Sequence, residues 1–483
     1  MNFGMVLKYL GILLISEAII MTPSLFVSIL YKGYDINAFV STIAILFTVG
    51  FLAFAVKPKN KNIYARDGFA IAALGWILIS FFGALPFVFS GAIPSIIDAF
   101  FEASSGFTTT GASILTEVEG LPYGLLFWRS FTHWAGGMGV LVLTLALLPT
   151  IGGGSVQIMK AESPGPTPGK IVPKVGHTAK ILYMIYFSIT IVQIILLMLT
   201  GMPLFDSLVN TFGTVGTGGF SVKNLSIGAY NNVHAEVITT IFMLACGVNF
   251  TLYYQMIKGN IKEAFKDEEF KLYIGVVLTS IILITINIYG NIFSSLGQAL
   301  RHSSFQVASV ITTTGYATTD FNQWPGFSKI ILILLMFIGA SAGSTGGGIK
   351  NIRILLLFKS MKRELFKIIH PRAVYTVKFG GKVIEEETLT EILAFFFMYI
   401  FIFIIALLII SLEGRDLLTT FTAVAATLGN IGPGLGTVGP MGNFSQFTDL
   451  SKIVLSLCMI IGRLEIYPIL LLLLPSFWRK VNV

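Results

Sequence analysis

Apolar residues run along this 483-residue chain in stretches of about 20, broken by short polar or basic segments. Runs of that length are what a membrane-spanning helix requires. The first, residues 8–30, is longer than the ~7–15 apolar residues of a signal peptide and has no small-residue cleavage site, so it reads as a retained helix. With 37–56 it predicts a helical hairpin turning at Tyr31-Lys32-Gly33-Tyr34, and Lys57-Pro58-Lys59-Asn60-Lys61 then returns the chain to its starting side. From about 68 the pattern becomes periodic: long helix, short helix, glycine turn, long helix. In its first copy the outer helix lies near 68–90, the short segment from Pro94 to Phe107 and the second long helix near 124–149. The short segment is too brief to cross a bilayer and suits a re-entrant helix. Further copies cover about 178–258, with Pro203 opening the short helix, about 270–358 and about 388–474. A repeat on this scale organises the whole chain.

Each short segment ends in a glycine-closed polar stretch: Thr108-Thr109-Thr110-Gly111, Gly213-Thr214-Val215-Gly216, Thr312-Thr313-Thr314-Gly315 and Gly429-Asn430-Ile431-Gly432. Aligned on the closing glycines, Ser105, Asn210, Ser309 and Ala426 lie six residues earlier, and Ala112, Thr217, Tyr316 and Pro433 one residue later. Irregular backbone at membrane depth is tolerated only where it is buried in protein or lines a watery cavity. Four such stretches around one axis can replace the water of a permeating cation with carbonyl oxygens, and glycine permits the backbone conformations that this needs. Thr109, Thr110, Gly111, Thr214, Val215, Gly216, Thr313, Thr314, Gly315, Asn430, Ile431 and Gly432 are therefore the expected filter residues. An oxygen-only lining without a carboxylate ring favours a weakly hydrated monovalent cation over Ca2+.

The second long helix of the third copy would run from Gly326 to Phe358, ~50 Å as one helix against a hydrocarbon core of ~30 Å. In its middle lies Gly339-Ala340-Ser341-Ala342-Gly343-Ser344-Thr345-Gly346-Gly347-Gly348, a stretch of poor helix propensity. It predicts a broken helix whose loop obstructs the pathway beneath the filter and moves to open it, with a kink or close helix packing as the alternative. Gly136, Gly137, Gly139, Gly247 and Gly462 in the other second helices suit hinges or close packing equally. Arg463 is an ionisable residue in an apolar helix, functional by default at membrane depth. We place it near the cavity under the filter, restraining cation flow or holding the loop; the alternative is a structural tie to backbone carbonyls or a pore-helix carboxylate. Glu465, two residues on, does not share its helical face. Asp98, Glu102 and Asp206 suit either cation attraction at the mouth or anchoring of the short helices.

Composition agrees with a chain in lipid: 54% hydrophobic, 12% charged, mean hydropathy +0.83, where a soluble domain carries about 25% charge. The net charge of +8 is an orientation signal rather than a sign of nucleic acid. Lys8, 57–66, 160–180, 258–271, 350–382 and Arg479-Lys480 hold 24 of the 32 Lys and Arg residues, a bias that puts both termini in the cytoplasm. Residues 151–177 form a Gly/Pro-rich linker, and 359–388 offer a folded cytoplasmic surface. The basic stretch 350–382 suits anionic lipid head groups or a docking partner. Cys246 and Cys458 lie inside apolar runs, and the five histidines are scattered, without metal-ligand spacing. There is no nucleotide-binding P-loop, and no His/Asp/Glu constellation at membrane depth for an intramembrane enzyme.

The motifs Ser-Gly-Phe-Thr-Thr-Thr-Gly (105–111), Thr-Val-Gly-Thr-Gly-Gly-Phe (214–220), Thr-Thr-Thr-Gly-Tyr (312–316) and Gly-Arg-Leu-Glu (462–465) resemble those of the Trk/Ktr/HKT superfamily of potassium transporters, on its TrkH/TrkG branch. The resemblance spans nearly the whole chain. It implies an all-α integral membrane protein of the bacterial inner membrane, with four tandem helix–pore helix–filter–helix repeats around one pore. The expected divisions are an N-terminal helix pair (1–62) and repeats at 63–155, 156–262, 263–370 (with the gate loop) and 371–483. It further implies K+ as the transported ion, no nucleotide on this chain, a homodimer, and control by a cytosolic nucleotide-binding ring of TrkA type. Membrane lipid is expected around it, and nucleic acid is not a partner. An ion-coupled symporter is the alternative transport mode, though units that all start on one side do not suit inverted repeats.

Overall fold

The computed structural model describes residues 1–58, 62–139 and 175–478. The linker expected at 151–177 lies almost wholly outside these residues, as do the far end of the helix expected at 124–149 and Arg479-Lys480. Among the described residues, six helices are long and apolar enough to cross a membrane, or seven if one sharply bent pair is a single span.

Helices α1 (Phe3–Leu30) and α2 (Ile36–Phe54) form the N-terminal hairpin. A β-carbon on Gly11 would lie 2.6 Å from the Gly50 carbonyl oxygen, so the two backbones touch directly, as small residues allow between membrane helices. Then come α3 (Ala65–Phe89), α4 (Ile96–Phe107) and α5 (Tyr123–Gly137); α6 (Val175–Leu199), α7 (Leu204–Val215), α8 (Val233–Cys246) and α9 (Phe250–Ile257); α10 (Glu268–Ile288), α11 (Leu296–Ile311), α12 (Gly326–Ile338) and α13 (Asn351–Ile369); and α14 (Glu386–Ser411), α15 (Leu417–Leu428), α16 (Asp449–Arg463) and α17 (Tyr467–Leu473). The short helices α4, α7, α11 and α15 begin at Ser95, Pro203, Ser295 and Asp416. Ser95 and Asp416 accept backbone N–H bonds in the first turn, satisfying donors that the helix leaves open.

The units close on themselves. Helix α5 packs on α7, α8 on α11, α12 on α15, and α16 on α4, so each second helix supports the next unit's short helix. The second helices are shorter than the hydropathy pattern suggests. They end at Gly137, Cys246, Ile338 and Arg463, and α8 and α9 meet at 93°. Past Gly137, Cys246 and Arg463 the sequence stays largely apolar, so hydropathy alone reads the fourth as one span to 474. Between α13 and α14 a two-stranded antiparallel hairpin, Lys378–Phe379 with Lys382–Val383, adds a little β-structure to an otherwise helical fold. It is tied to α10 by Lys359, which pairs with Glu268 and donates to the Lys378 carbonyl at 2.7 Å.

Candidate functional site

The four glycine-closed loops share one backbone solution. Each short helix is capped by Thr108, Gly216, Thr312 or Gly429. The next residue, Thr109, Thr217, Thr313 or Asn430, has φ of 55°, 56°, 57° or 56°, and two further on Gly111, Gly219, Gly315 and Gly432 have φ of 80°, 78°, 84° and 97°. The hydrogen bonds repeat as well: Thr110, Gly218, Thr314 and Ile431 donate their N–H to the carbonyls of Ser105, Gly213, Ser309 and Ala426 at 2.8–2.9 Å. Positive φ at four non-glycine positions is uncommon backbone, held here by closely matched bonding.

The loops also touch in a ring. A β-carbon on Gly111 would lie 2.0 Å from the Gly218 oxygen, on Gly219 2.0 Å from the Thr314 oxygen, on Gly315 2.2 Å from the Ile431 oxygen, and on Gly432 2.6 Å from the Thr110 oxygen. Each closing glycine therefore receives the carbonyl of the next loop round, and the fourth returns to the first. On one side the ring opens to a cavity of about 140 Å3 lined by all four of these glycines.

The loop Gly339–Gly348 lies against the opposite side. Helix α12 ends at Ile338, capped by Gly339 (φ 71°), and α13 starts at Asn351, so the helix is broken at the glycine-rich stretch where the sequence predicts a break. Gly347 donates its N–H to the Thr313 hydroxyl at 2.6 Å, and a β-carbon there would lie 2.6 Å from the Gly429 oxygen. The elbow between α8 and α9 holds the loop from behind: Ser341 N–H donates to the Gly247 carbonyl (3.0 Å), and Phe250 N–H to that of Gly343 (2.9 Å). Glu269 on α10 accepts from Ala342 N–H at 2.7 Å and Ile352 N–H at 3.0 Å. Arg463, at the end of α16, donates to the Thr345 carbonyl (2.9 Å), the Thr109 hydroxyl (3.3 Å) and the carbonyls of Gly136 and Gly137 (2.5 and 2.6 Å). One guanidinium thus bridges the loop, a ring residue and the end of α5. A cavity of about 150 Å3, lined by Arg463, Lys350, Glu465 and the loop glycines, lies beyond.

Residues 35–480 match the family model TrkH, described as a cation transport protein. The chain belongs to the TrkH family. It is 39% identical over 485 residues to the Trk system potassium uptake protein TrkH of Salmonella typhimurium, covering 99% of this chain and all of the relative. It is 36% identical to the Trk system potassium uptake protein TrkG of Escherichia coli, covering 97% of each. The crystal structure of the potassium transporter TrkH from Vibrio parahaemolyticus superposes with a TM-score of 0.89 at 37% identity, covering 99% of this chain and all of that one. TrkH relatives are named as transport proteins, so the family is one of membrane transporters and not of enzymes.

In this TrkH-family chain the structure corrects the second loop. Thr214 and Val215 form the last turn of α7 and Gly216 caps it. The stretch equivalent to Thr108–Gly111 is Gly216-Thr217-Gly218-Gly219, three residues further on than the sequence alignment set it, and Gly213, not Asn210, matches Ser105. The reason is helix length: α4, α7 and α15 all have 12 residues. Counting from the helix start, rather than matching threonines, would have found Thr217, Gly218 and Gly219.

The acidic residues of the short helices are anchors. Asp98 pairs with Lys452 at 2.6 Å. Glu102 pairs with Arg129 at 2.6 Å and accepts from Ile114 N–H at 3.0 Å. Asp206 accepts from the Tyr230 hydroxyl at 2.8 Å. Glu465 pairs with Arg353. Three supports were not visible in the sequence. Tyr316 donates its hydroxyl to the Asn210 carbonyl at 2.8 Å, the His133 ring fills the space behind Gly218, and Asn430 donates its amide to the Thr110 hydroxyl at 2.9 Å. All three are long-range contacts between units, for which local pattern carries no signal.

Proposed function

We propose that this protein takes up K+ through a selective, gated pore whose filter is the four-loop ring, corrected to Thr217, Gly218 and Gly219 in its second quarter. The closed ring with the loop and Arg463 beneath it is the observation that carries the reading. Thr109, Thr110, Gly111, Thr313, Thr314, Gly315, Asn430, Ile431 and Gly432 supply the other three quarters. Main-chain carbonyls there substitute for the hydration shell of a monovalent cation, and four short helices ending at the ring turn their negative ends to it. The loop 339–348 is the gate. Gly346 and Gly347 close the path under Thr312 and Gly429, and the charge on Arg463 opposes a cation leaving the ring until the loop moves. The relatives' names, which specify potassium uptake and the Trk system, support K+ as the ion.

On this reading four repeats surround one pore, preceded by the α1–α2 hairpin, with both termini on the cytoplasmic side of the bacterial inner membrane as the Lys/Arg bias requires. Two copies form a homodimer, and a cytosolic nucleotide-binding ring acts on the basic surface of 350–382 to move the loop. The test is 86Rb+ uptake into proteoliposomes by wild type and Gly111→Ser, competed with K+ and Na+. Uptake blocked far better by K+ than by Na+ in wild type, with that preference lost in the variant, is the expected result. Equal competition in wild type, or flux untouched by the serine, refutes the filter assignment.

A further inference from the structure

The 93° elbow between α8 and α9 leaves a hollow of about 570 Å3 against α6, lined almost entirely by apolar side chains, among them Met184, Ile185, Phe242, Tyr254 and Ile257. Met184 is 54% exposed and Ile257 72%, and α6 is long and apolar enough to span the bilayer. The hollow therefore opens sideways, where acyl chains are the solvent. Two lysines adjoin it along the helices. Lys180 precedes Met184 by one helical turn, so it extends the row that Met184 and Ser188 present to the hollow. Lys258 follows Tyr254 by one turn, and its ammonium lies 4.7 Å from that ring. Both lysines are exposed.

We infer that this groove is a binding site for an anionic phospholipid, with one acyl chain in the hollow and the phosphate held by Lys180 and Lys258. A polar or soluble ligand would not fill an apolar cleft at membrane depth, and a zwitterionic head group would leave the two cations without a net anionic partner. The site touches the gate apparatus. Tyr253, which lines the hollow, donates its hydroxyl to the Ala245 carbonyl at 2.6 Å across the elbow, and the adjoining Cys246 and Gly247 carbonyls accept N–H bonds from the loop. A lipid seated there braces the elbow that holds the loop.

The test is native mass spectrometry of the purified full-length protein offered phosphatidylglycerol and phosphatidylcholine of matched acyl chains. Wild type is expected to retain phosphatidylglycerol preferentially, and Lys180→Gln/Lys258→Gln to lower that retention about tenfold, while the control Lys266→Gln/Lys271→Gln leaves it unchanged. Ser188→Trp, which fills the hollow, is expected to reduce retention of both lipids. Equal retention of the two lipids by wild type, or an unaffected Lys180/Lys258 double variant, overturns the site. So does a Ser188→Trp protein that changes its oligomeric state with lipid retention intact, because the groove would then be a contact between copies. The readout is lipid mass, so its failure is separate from failure of the transport reading.

Discussion

A threonine held at φ near +56° forgoes its preferred backbone, a cost of order 1–3 kcal/mol, and this chain accepts it in three of its four loops, with Asn430 in the fourth. Such strain survives only where surrounding bonds over-determine it. At Gly219 the constraint is absolute, since any β-carbon meets the Thr314 oxygen. Gly219→Ser is therefore expected to abolish K+-over-Na+ preference as fully as Gly111→Ser does. Thr214→Val, which removes a hydroxyl bonded to the Asn210 carbonyl within α7 and to the Tyr316 hydroxyl, should leave 86Rb+ competition near wild type; a selectivity loss with Thr214→Val instead would restore the earlier register. Arg463 acts at the same scale. Arg463→Gln removes a positive charge beside the ring and weakens its bonds to the loop, and severalfold higher 86Rb+ flux without any cytosolic partner is expected. Unchanged or lower flux would leave it a structural tie.

At the scale of elements, the broken helix is a loop clamped from three directions. Glu269 on α10 is the clamp easiest to release, because Glu269→Ala leaves the Ala342 N–H of the loop and the Ile352 N–H in the first turn of α13 without an acceptor, at about 1–3 kcal/mol each. Ser344→Cys in that background is expected to react with a thiol reagent several times faster than in the parent, the native Cys246 and Cys458 being buried; equal rates would show that Glu269 does not restrain the loop. A second fastening joins the end of α14 to the start of α16. Glu413 accepts from the Thr448 hydroxyl (2.6 Å) and N–H (2.9 Å) and pairs with Arg415 at 2.8 Å. Burial alone would raise its pKa, but these bonds, with one from Ser451, outweigh it and hold the carboxyl down at about 2. A depressed carboxyl pKa stabilises the fold above the unfolded value, here ~4.3, and that contribution fades as pH falls towards 2. Glu413→Gln should thus lower thermal stability at pH 7 and narrow the gap to wild type at pH 3, measured by loss of the monodisperse species on heating. The breaks in the second helices were legible only at 339–348, where ten small or polar residues interrupt the apolar run. At Gly136-Gly137, Gly247 and Gly462 one or two glycines sit in largely apolar stretches, which fit hinge and packing alike until neighbouring backbones are known.

For the whole molecule, the hydropathy pattern conveyed the helical membrane class, the hairpin start and the number of glycine-closed loops, because each depends on local composition. It did not convey which unit neighbours which, since the α5–α7, α8–α11, α12–α15 and α16–α4 contacts join residues far apart in sequence. The α1–α2 hairpin packs against α3 and α5 from outside this circle. Gly11→Leu should accordingly part α1 from α2 and lower the temperature at which the detergent-solubilised protein loses its folded peak, while leaving ion preference intact in whatever protein inserts. Altered preference would tie the hairpin to the ring. That ring is encoded on one polypeptide, so its quarters are free to differ in a way that identical subunits around a rotation axis are not. A point change in a symmetric assembly strikes every quarter of such a ring at once; here it strikes one. On the proposed filter reading, conduction properties can drift in small steps, one quadrant tolerating Asn430-Ile431 while another keeps Thr109-Thr110, and an organism can retune its intake of an ion without passing through a broken intermediate.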